Sequence, residues 1–146
     1  MEQPSMFLVP PSHIDKAWKD GAHMLSEAAE KAAGEVTTDQ LKMLLSRGER
    51  RLIGVRDLAT PDALPGAWAA ISVHQMPNLR ALYVYALWAP GVTGPKVMEQ
   101  LRAYASSEGC SVIRGSCGDG VTRLWERKFK ARKVYTVVEI DVEVTQ

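Results

Sequence analysis

Leu82-Tyr83-Val84-Tyr85-Ala86-Leu87-Trp88-Ala89-Pro90, followed by Gly91-Val92-Thr93-Gly94-Pro95-Lys96, is the stretch whose reading decides the fold. Its first part is rich in aromatic and apolar residues and belongs to a strand predicted over residues 80–89. Pro90 stops that strand, and Gly91 and Gly94 mark a loop. Pro95 suits the first position of a helix, where its missing N–H would have no helical partner anyway. Val97, Met98, Leu101, Tyr104 and Ala105 then recur at helical spacing and give that helix one buried face. Gly109 closes it, and residues 111–117 read as a further strand.

Upstream, Met6-Phe7-Leu8-Val9 is a short β-prone run stopped by Pro10 and Pro11. Ser12 offers an N-cap and Asp15 a first-turn negative charge. Ile14, Ala17, Trp18, Gly21, Ala22, Leu25 and Ala29 form one apolar stripe, which predicts a single helix of about twenty residues ending near Gly34. Thr37 and Gln40 make a capping box ahead of Leu41, Met43, Leu44 and Leu45, with Gly48 as the stop. Residues 51–57 read as a strand and 58–66 as a loop with two prolines. Residues 67–75 and 80–89 are two strands close enough in sequence for an antiparallel hairpin.

Downstream, Gly118-Asp119-Gly120 turns into a short helix over 121–129, and residues 134–144 alternate well enough for a long closing strand. The order β-α-α-β-β-β-α-β-α-β is that of an α/β (α+β) protein, read here as one domain over residues 1–146.

Composition narrows the function classes. A net charge of +1 supplies no global field toward nucleic acid or an acidic membrane. The local cluster Arg123, Arg127, Lys128, Lys130, Arg132 and Lys133 reads as a solvated face, with a nucleic-acid contact as the weaker alternative. No apolar run approaches the length a membrane helix needs, and the N-terminal stretch resembles neither a signal nor a transit peptide. Cys110 and Cys117 lack C-x-x-C spacing and read as reduced thiols in a cytoplasmic protein. His13, His23 and His74 have no metal-ligand spacing, so no metal is expected. There is no G-x-S-x-G, P-loop or dinucleotide fingerprint. Tyr83, Tyr85 and Trp88 read as packing beneath a helix, with a pocket lining as the other reading.

The element order, the stretch 82–90 with its loop, Val97-Met98 and the segment 105–113 resemble the GNAT superfamily of N-acetyltransferases. The likeness is to short, drifted members of the kind found in tailed-phage genomes. It implies a mixed central sheet and acyl-CoA as cofactor, with an amine as acceptor. The acyl-CoA arm would run along Leu87 and Trp88, and the pyrophosphate would meet Val92, Thr93, Gly94 and Lys96.

Departures from the family pattern are equally specific. Ala89 stands where the loop's basic residue is expected, and Val92 where a small residue is. Pro95 removes one N–H that a phosphate would use. The tyrosine commonly serving as acid is missing around Trp125-Glu126-Arg127-Lys128, and the central strand carries no carboxylate base. Asp57 and Glu126 remain as catalytic candidates. The expected function is therefore a GNAT-fold acyl-CoA-dependent N-acetyltransferase with a degenerate cofactor loop and catalytic set. The alternative is a non-catalytic virion-associated assembly protein on the same scaffold, acting as a homo-oligomer or with virion proteins in host cytoplasm or virion.

Overall fold

The computed structural model describes residues 2–31, 34–90 and 94–143. Residues Met1–Gly115 and Ser116–Gln146 form two compact units.

In the larger unit, five strands form one sheet in the order β1 (Pro4–Val9), β2 (Arg51–Asp57), β3 (Ala67–Met76), β4 (Leu79–Trp88) and β5 (Val112–Gly115). The first three pairings are antiparallel and β4 with β5 is parallel, so the sheet is mixed. Four helices accompany it: α1 (Ile14–Lys19), α2 (Leu25–Glu30), α3 (Thr38–Ser46) and α4 (Pro95–Ser107). The β3–β4 hairpin and strand β2 lie where the alternation of the sequence puts them.

The predicted first helix is divided. Gly21 takes φ +126°, a conformation glycine enters without the steric cost of a side chain, and it breaks the stripe into α1 and α2. A Cβ there would also sit 3.1 Å from Trp68 Nε1. The apolar stripe survives the break: Ile14, Ala17, Ala22, Leu25 and Ala29 are all buried. The capping box forms as read, Gln40 N donating to Thr37 Oγ1 at 3.2 Å and Thr37 N donating to Gln40 Oε1 at 2.9 Å.

Leu41 and Leu45 of α3 join the α1 and α2 side chains over Leu52, Trp68, Ala70 and Ala86 of the sheet. Trp68 is the centre of this layer. Phe7 meets it edge-on, the ring centroids 5.9 Å apart, and Gly54 lies between them. A Cβ on Gly54 would come within 2.5 Å of Phe7 Cζ and 2.9 Å of Trp68 Cζ3. The alternation of β2 sends Arg51 to the opposite face, where it meets Tyr104 and Glu108 at the end of α4. Gln100 of α4 is bound to β1 at both ends of its amide: Met6 N donates to Oε1 at 2.7 Å, and Nε2 donates to Pro4 O at 2.8 Å.

The smaller unit holds one helix, α5 (Asp119–Phe129), which starts two residues before the predicted one. Asp119 sits in its first turn and Arg127 and Lys128 in its last, as the helix dipole favours. The closing strand predicted over 134–144 is not formed among the described residues. Val134, Tyr135, Val137, Val138, Ile140 and Val142 are exposed. A strand needs a neighbour for its backbone N–H and C=O groups, and the described residues of this unit contain a helix and no strand.

Two stability predictions follow from these contacts. Gly54→Val is expected to lower unfolding free energy by about 3 kcal/mol in urea titration, because the edge-on Phe7–Trp68 contact must open. Thr37→Ala is expected to cost about 1 kcal/mol by the same measurement, through loss of the α3 cap.

Candidate functional site

Strand β4 changes character at Tyr85. Ala86 pairs with Ala70 and Val84 with Ile71, so Tyr85 is an extra residue with no counterpart on β3, a β-bulge. On the other side, β5 pairs with β4 from Ala81 to Val84 and stops there. From Tyr85 to Trp88, β4 therefore has an open edge among the described residues. The chain then passes through Ala89 and Pro90 and re-enters regular structure at α4.

The bulge sorts side chains. Leu82 and Val84 are buried, while Tyr83 and Tyr85 share the face of Ser72 and His74. There the four polar side chains form one half-buried cluster. Ser72 Oγ donates to Tyr85 Oη at 3.2 Å, and His74 Nε2 is hydrogen-bonded to the same oxygen. Tyr83 lies stacked on the His74 ring, the centroids 5.1 Å apart and the planes 10° apart. Its ring is 4.9 Å from that of Tyr85. The Arg50 guanidinium covers the Tyr85 ring, with Cζ 3.6 Å from the centroid. Ala70, Ser72 and His74 alternate along β3, so this cluster continues the face occupied by the helical core.

Sequence reading missed the cluster. The sequence offers packing or a pocket lining for Tyr83 and Tyr85 and no metal-ligand spacing for His74, and their spacing shows neither the bulge nor their grouping. The only sequence signal was the pair of tyrosines two apart on a strand facing a histidine across a short hairpin.

The other site candidates belong to several different elements. Leu87 is exposed, and the Trp88 side chain packs against the helical core. Trp88 can thus offer a ligand its backbone rather than its ring. Gly94 is the N-cap of α4 with open space where a Cβ would be, and Lys96 is exposed in the first turn. Val92 and Thr93 lie outside the described residues. Glu126 is exposed on α5.

Asp57, at the end of β2, accepts backbone hydrogen bonds from Glu2, Gln3 and Ala59 at 3.2, 3.0 and 3.0 Å. The Ala59 bond is the largest influence holding its carboxyl below the ordinary aspartate range. It ties β1 to the start of the following loop. On the opposite face, Arg51 donates to Tyr104 Oη at 2.5 Å and pairs with Glu108 at 2.9 Å. The Tyr104 bond raises the guanidinium further above its ordinary value, so this anchor of α4 stays charged. Among the described residues no three His, Cys, Asp or Glu side chains gather as a metal site, and no helix is long and apolar enough to cross a membrane.

The fold is shared with solved acetyltransferases. One is a ribosomal-protein-alanine N-acetyltransferase from Brucella melitensis biovar Abortus 2308, with a TM-score of 0.64 and 14% identity over 96% of this chain and 99% of that one. The chain has the GNAT fold. Two further structures with this GNAT fold match similarly. An aminoglycoside acetyltransferase from an uncultured soil metagenomic sample has a TM-score of 0.63 and 12% identity, covering 97% of each chain. A predicted acetyltransferase from Clostridium acetobutylicum, solved with acetyl-CoA, has a TM-score of 0.62 and 12% identity, covering 96% of this chain and 97% of that one. No protein-family model and no curated protein matches the sequence.

Asp57 carries a pH prediction. Its lowered folded-state value means its contribution is present at neutral pH and is lost as pH falls below the ordinary aspartate range. Hydrogen exchange at the Gln3 and Ala59 amides is expected to quicken in Asp57→Ala at pH 7, and the difference from wild type to fade in strong acid.

Proposed function

We propose that the chain is an acyl-CoA-dependent N-acyltransferase that uses acetyl-CoA or a close analogue as donor and an amine as acceptor. The observation carrying this reading is the coincidence at Tyr85 of a β-bulge and the end of β5 pairing, shortly before a helix N-terminus. An open strand edge carries backbone N–H and C=O groups that an extended amide-bearing pantetheine arm matches as an added strand would. The solved acetyltransferase with acetyl-CoA supports the donor assignment by its fold.

The residues present fit such a donor. Ala86, Leu87 and Trp88 would face the arm through their backbone. The N–H groups of Lys96 and Val97 in the first turn of α4 have no side-chain cap, and the Lys96 ammonium stands beside them. Pro95 supplies no N–H and Ala89 no charge, so phosphate contact rests on fewer groups than a full glycine-rich loop offers. Weak, salt-sensitive binding is the consequence.

Isothermal calorimetry with acetyl-CoA tests the proposal. A saturable isotherm in the high micromolar range is expected, weakened several-fold in Lys96→Glu and at raised salt. A titration with neither heat nor thermal shift removes the acyltransferase reading.

A further inference from the structure

We propose that Tyr85 and His74 form the proton path of this site, with Tyr85 as the catalytic residue and His74 as the group that takes up the proton behind it. The proposal rests on the acyltransferase reading. It assigns acid–base roles to a cluster on β3 and β4 that includes neither carboxylate candidate, Asp57 or Glu126.

Tyr85 is the bulge residue, and it sits where the edge of β4 opens. Its hydroxyl has two protein neighbours with defined roles. Ser72 donates to it at 3.2 Å, which occupies one lone pair of Oη and directs the phenolic proton elsewhere. That proton goes to His74 Nε2, hydrogen-bonded to the same oxygen. One lone pair of Oη is left for an incoming N–H. Tyr83, stacked on the imidazole, fixes the ring plane that keeps Nε2 aimed at Oη. Arg50, with Cζ 3.6 Å from the ring centroid, places positive charge over the phenol as negative charge develops on its oxygen.

The proton balance closes on these groups. As the acceptor nitrogen forms its bond to the acyl carbon, it gives one proton to Tyr85 Oη. Tyr85 passes its own phenolic proton to His74 Nε2. The carbon–sulfur bond breaks with its electron pair on sulfur, and the proton held by His74 returns through Tyr85 to that thiolate. The products are an amide and a free thiol, and His74 and Tyr85 regain their starting protonation.

Four proteins test the assignment: wild type, Tyr85→Phe, His74→Gln and His74→Ala. Each is assayed for thiol release from acetyl-CoA with an alanyl peptide, an aminoglycoside and a polyamine as amine probes. Each is also titrated with acetyl-CoA by calorimetry. Tyr85→Phe keeps the ring beneath Arg50 and removes only the hydroxyl. The expected result is a loss in kcat of roughly a hundredfold or more in each variant, with the dissociation constant for acetyl-CoA unchanged. Added imidazole is expected to restore part of the His74→Ala rate and none of the Tyr85→Phe rate.

A second readout needs no turnover. The 15N resonance of His74 Nε2 is expected to shift in Tyr85→Phe without any ligand. Undiminished thiol release in Tyr85→Phe and His74→Gln overturns the proton path and leaves the coenzyme reading intact. So does acetyl-CoA binding by a wild type that releases no thiol. Failure of the wild type to bind acetyl-CoA overturns both.

Discussion

One extra residue in β4 governs the arrangement of this molecule. With Ala70 paired to Ala86, an unbroken ladder would set Tyr85 opposite Ile71 and Val84 opposite Ser72. The bulge instead sets Val84 opposite Ile71 and Tyr83 opposite Ser72. Because side chains alternate along a strand, a one-residue slip exchanges the faces of everything beyond it. Leu82 and Val84 are thereby buried, and both tyrosines come to lie on the face of Ser72 and His74. The burial of Leu82 and Val84 on one face and the polar cluster on the other depend on the same irregularity.

Both faces of the sheet bury apolar side chains, and the α4 face adds directional polar ties. Beneath α1, α2 and α3 the layer is a close-packed apolar one, in which Ala17, Ala22, Ala29, Ala70 and Ala86 let backbones approach and Trp68 fills the space between. Gly54 and Gly21 are the positions where this packing leaves no room for a side chain, against Phe7 and Trp68 in one case and Trp68 in the other. On the opposite face Ile53, Val55, Ala69, Ile71, Leu82 and Val84 are buried, and α4 is tied there by Gln100 to the backbone of β1 and by Arg51 to Tyr104 and Glu108. These ties are directional, so they set the position of the helix along the sheet as well as its distance from it. Among the described residues no side chain caps the first turn of α4.

Local chemistry was legible wherever a residue acts through its near neighbours. The Thr37–Gln40 capping box, Pro95 at the start of α4, the β3–β4 hairpin and the stripe from Ile14 to Ala29 all rest on contacts within a few residues or on a single period. The failures have the opposite character. Nothing in the stripe distinguishes one helix from two, because the apolar period continues through Gly21. Gly21 takes φ +126° where a Cβ would meet the Trp68 ring, 47 positions away in the chain. The alternation over 134–144 is a preference for extended backbone and becomes a strand only when another strand supplies hydrogen bonds.

The amino-acid sequence by itself determined the order of elements from α3 to α5, the capping of α3, and the start of α4 at Pro95. Propensity, capping and periodicity are properties of adjacent residues, so a linear reading contains them. Only the tertiary structure decided where β4 bulges, where β5 stops pairing with it, and which side chains gather there. Register between strands depends on hydrogen bonds and packing between distant segments. Arg50, Ser72, His74, Tyr83 and Tyr85 therefore become one group of side chains only once β2, β3 and β4 lie side by side.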